Sequence, residues 1–126
     1  MPRVVIALCA LGLCVPVAAA DVVKLPKDSC EKPCLACANE CLGCMKHCKE
    51  HKLEDTARMC EICHHSCLAC ALAVGNKNSE AWQLCESCEK TCLACAAMCA
   101  KGQSDQMKKC AAACRECAKA CADARK

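Results

Sequence analysis

Cysteine dominates the chemistry open to this 126-residue chain, and its spacing says what that chemistry is. Cys34, Cys37, Cys41, Cys44 and Cys48 follow one another in steps of 3, 4, 3 and 4. The rhythm returns at Cys60, Cys63, Cys67 and Cys70, then at Cys85, Cys88, Cys92, Cys95 and Cys99, and finally at Cys110, Cys114, Cys117 and Cys121. Such steps average about 3.5 residues, the repeat of a helix face held against a partner. One face of a strand would recur every second residue. Each line therefore sets thiols where a bundle ordinarily sets leucine. Thiolate is a soft donor, so a core built from it is a dense ligand field for soft metal ions.

The elements that must position these lines are delimited by breaks at Glu50-His51-Lys52, at Gly75-Asn76-Lys77-Asn78 and at Lys101-Gly102-Gln103-Ser104. Gly75 and Gly102 suit the position just past a helix C-terminus. Asn78 or Ser79, and Ser104, suit N-caps. These signals predict helices over 31–50, 54–74, 79–101 and 104–124, with Pro33 tolerated in the first turn of the first. Connections so short force neighbours antiparallel. The fold class is all-α: an antiparallel up-down-up-down four-helix bundle with a cysteine-lined core. Cys-Leu-Ala-Cys-Ala recurs at 34–38, 67–71 and 92–96, which marks one unit used repeatedly. Leu35, Leu42, Leu68 and Leu93 each follow a seam cysteine by one position and are expected to pack between helices.

The N-terminus reads as a secretory leader: Arg3, an apolar run from Val4 to Val17, then Ala18-Ala19-Ala20 before Asp21. Residues 1–20 are thus expected to be cleaved, residues 21–29 to form an N-terminal linker, and residues 30–126 to form the bundle. The apolar run is too short to span a bilayer comfortably, and no twin-arginine pair precedes it, so the general export route and a periplasmic location are expected. A net charge of +3 argues for neither nucleic acid nor membrane as partner. With one Trp and no Phe or Tyr, the chain lacks the stacking platforms of single-strand binders. It also lacks the large side chains that fill small cores, so metal or covalent help is expected.

Four readings of the cysteines compete. As ordinary small buried hydrophobes they would not fall in heptad register across four helices. A disulfide scaffold suits an exported chain, but nineteen cysteines outside the leader is an odd number. Bundle axes about 8–10 Å apart also strain the ~5.5–6 Å Cα spacing of a disulfide. Zinc is favoured by seven C-x2-C pairs, yet structural zinc draws its ligands from turns rather than continuous helical lines. The ferredoxin run C-x2-C-x2-C-x3-C is absent. Cu(I) accepts thiolate and thioether at low coordination number, and a C-x2-C or C-x3-C pair on one helix face aims both sulfurs the same way. At one to two cysteines per ion the capacity is on the order of 10–20 ions, which suits storage better than single-ion transfer. A zinc or iron–sulfur helical protein, or a disulfide-stapled scaffold, stands as the alternative.

The repeated C-x2-C-x3-C register over residues 30–124 resembles the bacterial copper storage proteins. The resemblance implies a cysteine-lined bundle binding many Cu(I) ions, a tetramer of such bundles, no catalysis, and copper entry through one bundle end. It implies Cys30 and the eighteen cysteines above as ligands. Copper ions are the implied partner, with a copper chaperone or a recipient cuproenzyme as protein partners. Exported members of that family carry a twin-arginine leader, which this chain does not.

Antiparallel order gathers Met45, Met59, Met98 and Met107 near one pole. Counting three on from Cys48 reaches His51, and three back from Cys110 reaches Met107. His47 sits one step off the seam beside Cys48. These six are read as a mouth in which thioethers and imidazole receive Cu(I) ahead of the thiolates. His64 and His65 are read as solvated or interface residues. Val74, Ala81, Trp82 and Ala124 are read as an apolar plug at the other pole.

Overall fold

The computed structural model describes residues 22–126, together with a minimal antiparallel pairing of β1 (Cys9–Ala10) with β2 (Leu13–Cys14). The expected cleavage after Ala20 and the rest of the leader lie outside the described residues. A short 3-10 turn at Asp28–Cys30 leads into α1 (Glu31–Glu50), followed by α2 (Glu54–Gly75), α3 (Ala81–Cys99) and α4 (Asp105–Ala124). The helices form an antiparallel four-helix bundle. Each packs on its two neighbours, and the diagonal pairs meet only through the thiols between them.

Local chemistry fixes the ends. α1 closes with Leu53 N–H donating to the Cys48 carbonyl at 2.8 Å and Lys52 N–H to the Lys49 carbonyl at 3.2 Å. α2 repeats this, with Asn78 N–H on the Ala73 carbonyl at 2.9 Å and Lys77 N–H on the Val74 carbonyl at 3.2 Å. Both are the paired closure that needs a left-handed residue after the C-cap. Lysine occupies that position in each: Lys52 has φ 60° and Lys77 φ 52°. The expectation of Gly75 in that role is corrected. Gly75 is the last helical residue, where a β-carbon would meet Glu31 Oε1 at 2.9 Å. α3 begins at Ala81 rather than 79 because Asn78 Oδ1 accepts from Glu80 N–H at 2.8 Å, which holds the preceding turn. Ser104 caps α4 as expected, its hydroxyl accepting from Met107 N–H at 3.2 Å.

The interior is sulfur lined with alanine. All nineteen cysteines from Cys30 to Cys121 are free and fully buried, and no charged or polar side chain is buried with them among the described residues. The remaining buried side chains are alanines, Val74 and Met107. Of the leucines expected to pack between helices, Leu35, Leu68 and Leu93 are 43%, 39% and 51% exposed, whereas Leu42 is half-buried. A sulfur core is narrow, so the buried Ala38, Ala71, Ala96 and Ala118 take the contacts between helices and these three leucines turn outward.

Residues 22–29 remain largely exposed, and two contacts tie them to the bundle. Lys27 N–H donates to the Ala124 carbonyl at 2.8 Å, and the Lys24 ammonium lies 4.4 Å from the centre of the Trp82 ring. This strap crosses the pole where Val74, Ala81 and Ala124 are buried, and it carries Cys30 inward.

Candidate metal centre

Helical registers of 3 and 4 aim every seam cysteine at one axis, and the result is an unbroken path of sulfur. Starting from the strap, Cys30 lies 3.9 Å from Cys85. One step on, Cys34 lies 3.7 Å from Cys121 and 3.5 Å from Cys117. Midway, Cys67 approaches Cys92 at 3.6 Å, and Cys114 lies 3.7 Å from both Cys37 and Cys41. Beyond Cys110, which is 3.8 Å from Cys41, Cys95 reaches Cys60 at 3.9 Å and Cys60 reaches Cys99 at 3.7 Å. The path ends where Cys44 meets Cys99 and Cys48, both at 3.9 Å.

The thiols also form compact sets of four. Cys30, Cys70, Cys85 and Cys121 have their sulfurs within 4.8 Å of one another, as do Cys34, Cys70, Cys88 and Cys121. Further along, Cys37, Cys67, Cys92 and Cys117 form such a set, as do Cys37, Cys41, Cys63 and Cys114, and Cys41, Cys95, Cys110 and Cys114. Cys37, Cys41, Cys70, Cys114 and Cys121 each belong to two sets. A metal ion in the first set therefore shares donors with the second, and one in the fourth shares donors with the third and the fifth.

Burial and mutual hydrogen bonding split the protonation of these thiols. Burial, then the charge of neighbouring Cys44, pushes Cys48 up to about 12. Hydrogen bonds from Cys110, Cys44 and Cys60 bring Cys99 down to about 5. In the middle of the column the Cys110 thiol donates to Cys114, which holds Cys114 down and Cys110 up. A thiolate in this interior is therefore held by the S–H groups of its neighbours.

The six residues of the expected mouth divide in two. Met107 is buried over the column, Met45 and Met59 pack against the core, and Met98 lines a surface cavity of about 220 Å³ with Leu53, Thr56, Lys101, Gly102 and Met107. His51 does not continue the seam. α1 stops at Glu50 and the chain turns at Lys52, which leaves His51 exposed with its Nδ1 2.9 Å from the His47 carbonyl. The two imidazoles lie 4.3 Å apart, centre to centre. His65 is exposed, whereas His64 bonds α2 to α1 through Nδ1 and the Ala38 carbonyl at 2.7 Å. Sequence reasoning missed the part of Gly102, whose lack of a side chain makes the space that Met107 fills.

A core with sulfur as its only donor, free of buried oxygen and nitrogen side chains, discriminates for soft ions. The family model described as copper storage protein matches residues 23–126. Two solved structures share the fold. One, titled Cu(I)-bound copper storage protein BsCsp3, is 27% identical with a TM-score of 0.75, covering 79% of this chain and 97% of that one. The other, apo-Csp3 (copper storage protein 3) from Bacillus subtilis, is 28% identical with a TM-score of 0.74, covering 79% of this chain and 98% of that one. No curated protein matches the chain in sequence.

Proposed function

The chain belongs to the copper storage protein family, and from that premise we propose that it sequesters many Cu(I) ions as thiolate complexes along its sulfur column. The observation that carries this reading is the continuity of the donors: nineteen buried free thiols along one path, fifteen of them in the five sets of four described above. The proposed ligands are Cys30, Cys34, Cys37, Cys41, Cys44, Cys48, Cys60, Cys63, Cys67, Cys70, Cys85, Cys88, Cys92, Cys95, Cys99, Cys110, Cys114, Cys117 and Cys121. The thiolates act as ligands rather than nucleophiles, since among the described residues no histidine or acid is buried beside them to activate one. Met107 and Met98, with Met45 and Met59 behind them, are the proposed thioether route into the column. Anaerobic Cu(I) titration followed by native mass spectrometry tests the reading. Saturation on the order of 10–20 ions is expected, and saturation at four or fewer overturns it.

The finer proposals rest on other features. Export to the periplasm through a cleaved leader is supported by the residue 1–20 pattern, and N-terminal sequencing of the mature protein tests it. Assembly as a homotetramer is supported by the outward leucines, where Leu35, Leu68 and Leu72 with Ala71 and Glu31 line a cavity of about 310 Å³. Sedimentation analysis tests it. Storage would serve supply to cuproenzymes or protection from free copper, with a copper chaperone or recipient cuproenzyme as partner.

A further inference from the structure

The expected mouth mixed sulfur and nitrogen donors, and in the folded chain the two kinds differ in burial. The four methionines lie against the core or the cavity beside it, while His47 is half-buried and His51 exposed. We infer that His47 and His51 form a separate, exposed site for a borderline divalent cation, Cu(II) foremost, outside the Cu(I) column.

The argument begins with spacing. Residues four apart lie one above the other on a helix, and two histidines at that spacing are a recurrent chelating pair in helical metal sites. The pairing holds here although α1 ends between them: the ring centres are 4.3 Å apart with planes tilted 31°. His51 Nδ1 lies 2.9 Å from the His47 carbonyl, so that nitrogen donates its hydrogen to the backbone. This fixes the tautomer and leaves the Nε2 lone pair free. A ligating imidazole is commonly held in this way, by its other nitrogen bonded to a carbonyl. His47 is half-buried and His51 exposed, so water can complete the coordination sphere. Donor type then decides the cation. Imidazole with water suits Cu(II), which stands at the top of the divalent affinity order, while the thiols and thioethers within select Cu(I). Copper in both oxidation states is thus held at one pole, by two donor sets of different chemistry.

The test uses protein first saturated with Cu(I), so that every thiol is occupied, and adds Cu(II) as the probe. Expected is one equivalent bound, with an axial electron paramagnetic resonance spectrum showing nitrogen coupling. His47→Ala and His51→Ala should each weaken binding about tenfold or more, because a chelate loses the effective concentration of its second arm. His65→Ala, an exposed histidine on α2, should leave it unchanged. A spectrum without nitrogen coupling overturns the inference, as does His51→Ala binding as tightly as the wild type. Redox-inert Zn(II) gives a second reading through imidazole nitrogen shifts. Shifts confined to His47 and His51 support the site, and shifts absent or spread equally to His64 and His65 overturn it. Failure of the storage reading would appear earlier, as failure to take up Cu(I), and so is told apart.

Discussion

Gly102 and Met107 face each other across the turn into α4 with no room between them for a β-carbon: one built at Gly102 would collide with the Met107 thioether. Met107 is 4% exposed and lies three residues before Cys110, so it covers the end of the sulfur column. Gly102→Ala should therefore displace Met107 or the turn and cost about 1–3 kcal/mol, the usual penalty for overpacking. Met107→Leu conserves volume and should cost less than about 1.5 kcal/mol. If the thioether serves entry, Met107→Leu slows Cu(I) uptake in stopped-flow mixing without changing the final stoichiometry. Equal uptake rates would reduce Met107 to packing.

Cys114 touches Cys37, Cys41 and Cys63 at 3.7, 3.7 and 3.9 Å. Cys114→Ser removes a donor shared by two sets of four and should lower the capacity read by native mass spectrometry by about one or two ions. The same change at Cys48, at the end of the path, should lower it less. The serine also leaves a hydroxyl among sulfurs, costing about 1–3 kcal/mol in the metal-free protein. Identical capacities for the two variants would argue against shared ligation.

Protonation sets a pH dependence with a definite sign. The Cys99 thiolate is favoured in the folded chain, its pKa lowered from 9.0 to about 5 by hydrogen bonds from Cys110, Cys44 and Cys60. Stability from that group is fully present above pH 9, falls as the pH drops, and is lost below about 5. The Tm difference between wild type and Cys99→Ser, measured without metal, should shrink from pH 9 to pH 5. Cys48 has the opposite sense: raised to about 12, it stays protonated at neutral pH and must release its proton when copper binds. Cu(I) loading should accordingly release protons, and a pH-stat titration that finds none would contradict thiolate ligation.

Trp82 is the chain's one aromatic residue, so its fluorescence reports on the strap directly. The ammonium of Lys24 sits 4.4 Å from the ring centre. Lys24→Ala should shift the emission and cost about 0.5–1 kcal/mol, the scale of an exposed cation–π contact. Deleting residues 22–27 should shift it further, since it removes both Lys24 and the Lys27 N–H that donates to the Ala124 carbonyl. An unchanged emission on deletion would mean that the strap is not docked in solution.

The helices and their thiol face were legible because one periodicity carried both. Steps of 3 and 4 predict a helix and name its inward residues together, and all eighteen seam cysteines proved fully buried. Less legible was whatever depended on the ends. His51 continued the register only on paper, since the register holds as long as the helix does, and α1 stops one residue earlier. The left-handed closures fell to Lys52 and Lys77, because the bonds to Cys48 and Ala73 outweigh the steric cost that glycine would have avoided. The leucines misled for a different reason. Their position beside the seam implied contact between helices, but cysteine and alanine let the helices close up without them. The docking of residues 22–30 had no periodic signature, and only the presence of Cys30 hinted at it.

Cys30 stands where the strap's 3-10 turn meets the start of α1, and it completes a set with Cys70, Cys85 and Cys121 from α2, α3 and α4. Whatever factor an ion in that set adds to the holding of the strap, the held strap adds to the affinity for the ion, because coupling between two equilibria is reciprocal. The terminal segment and the cargo thus report on each other: occupancy at one pole is legible from outside as resistance of residues 22–30 to proteolysis, and pulling the segment away lowers the retention of copper by the same measure.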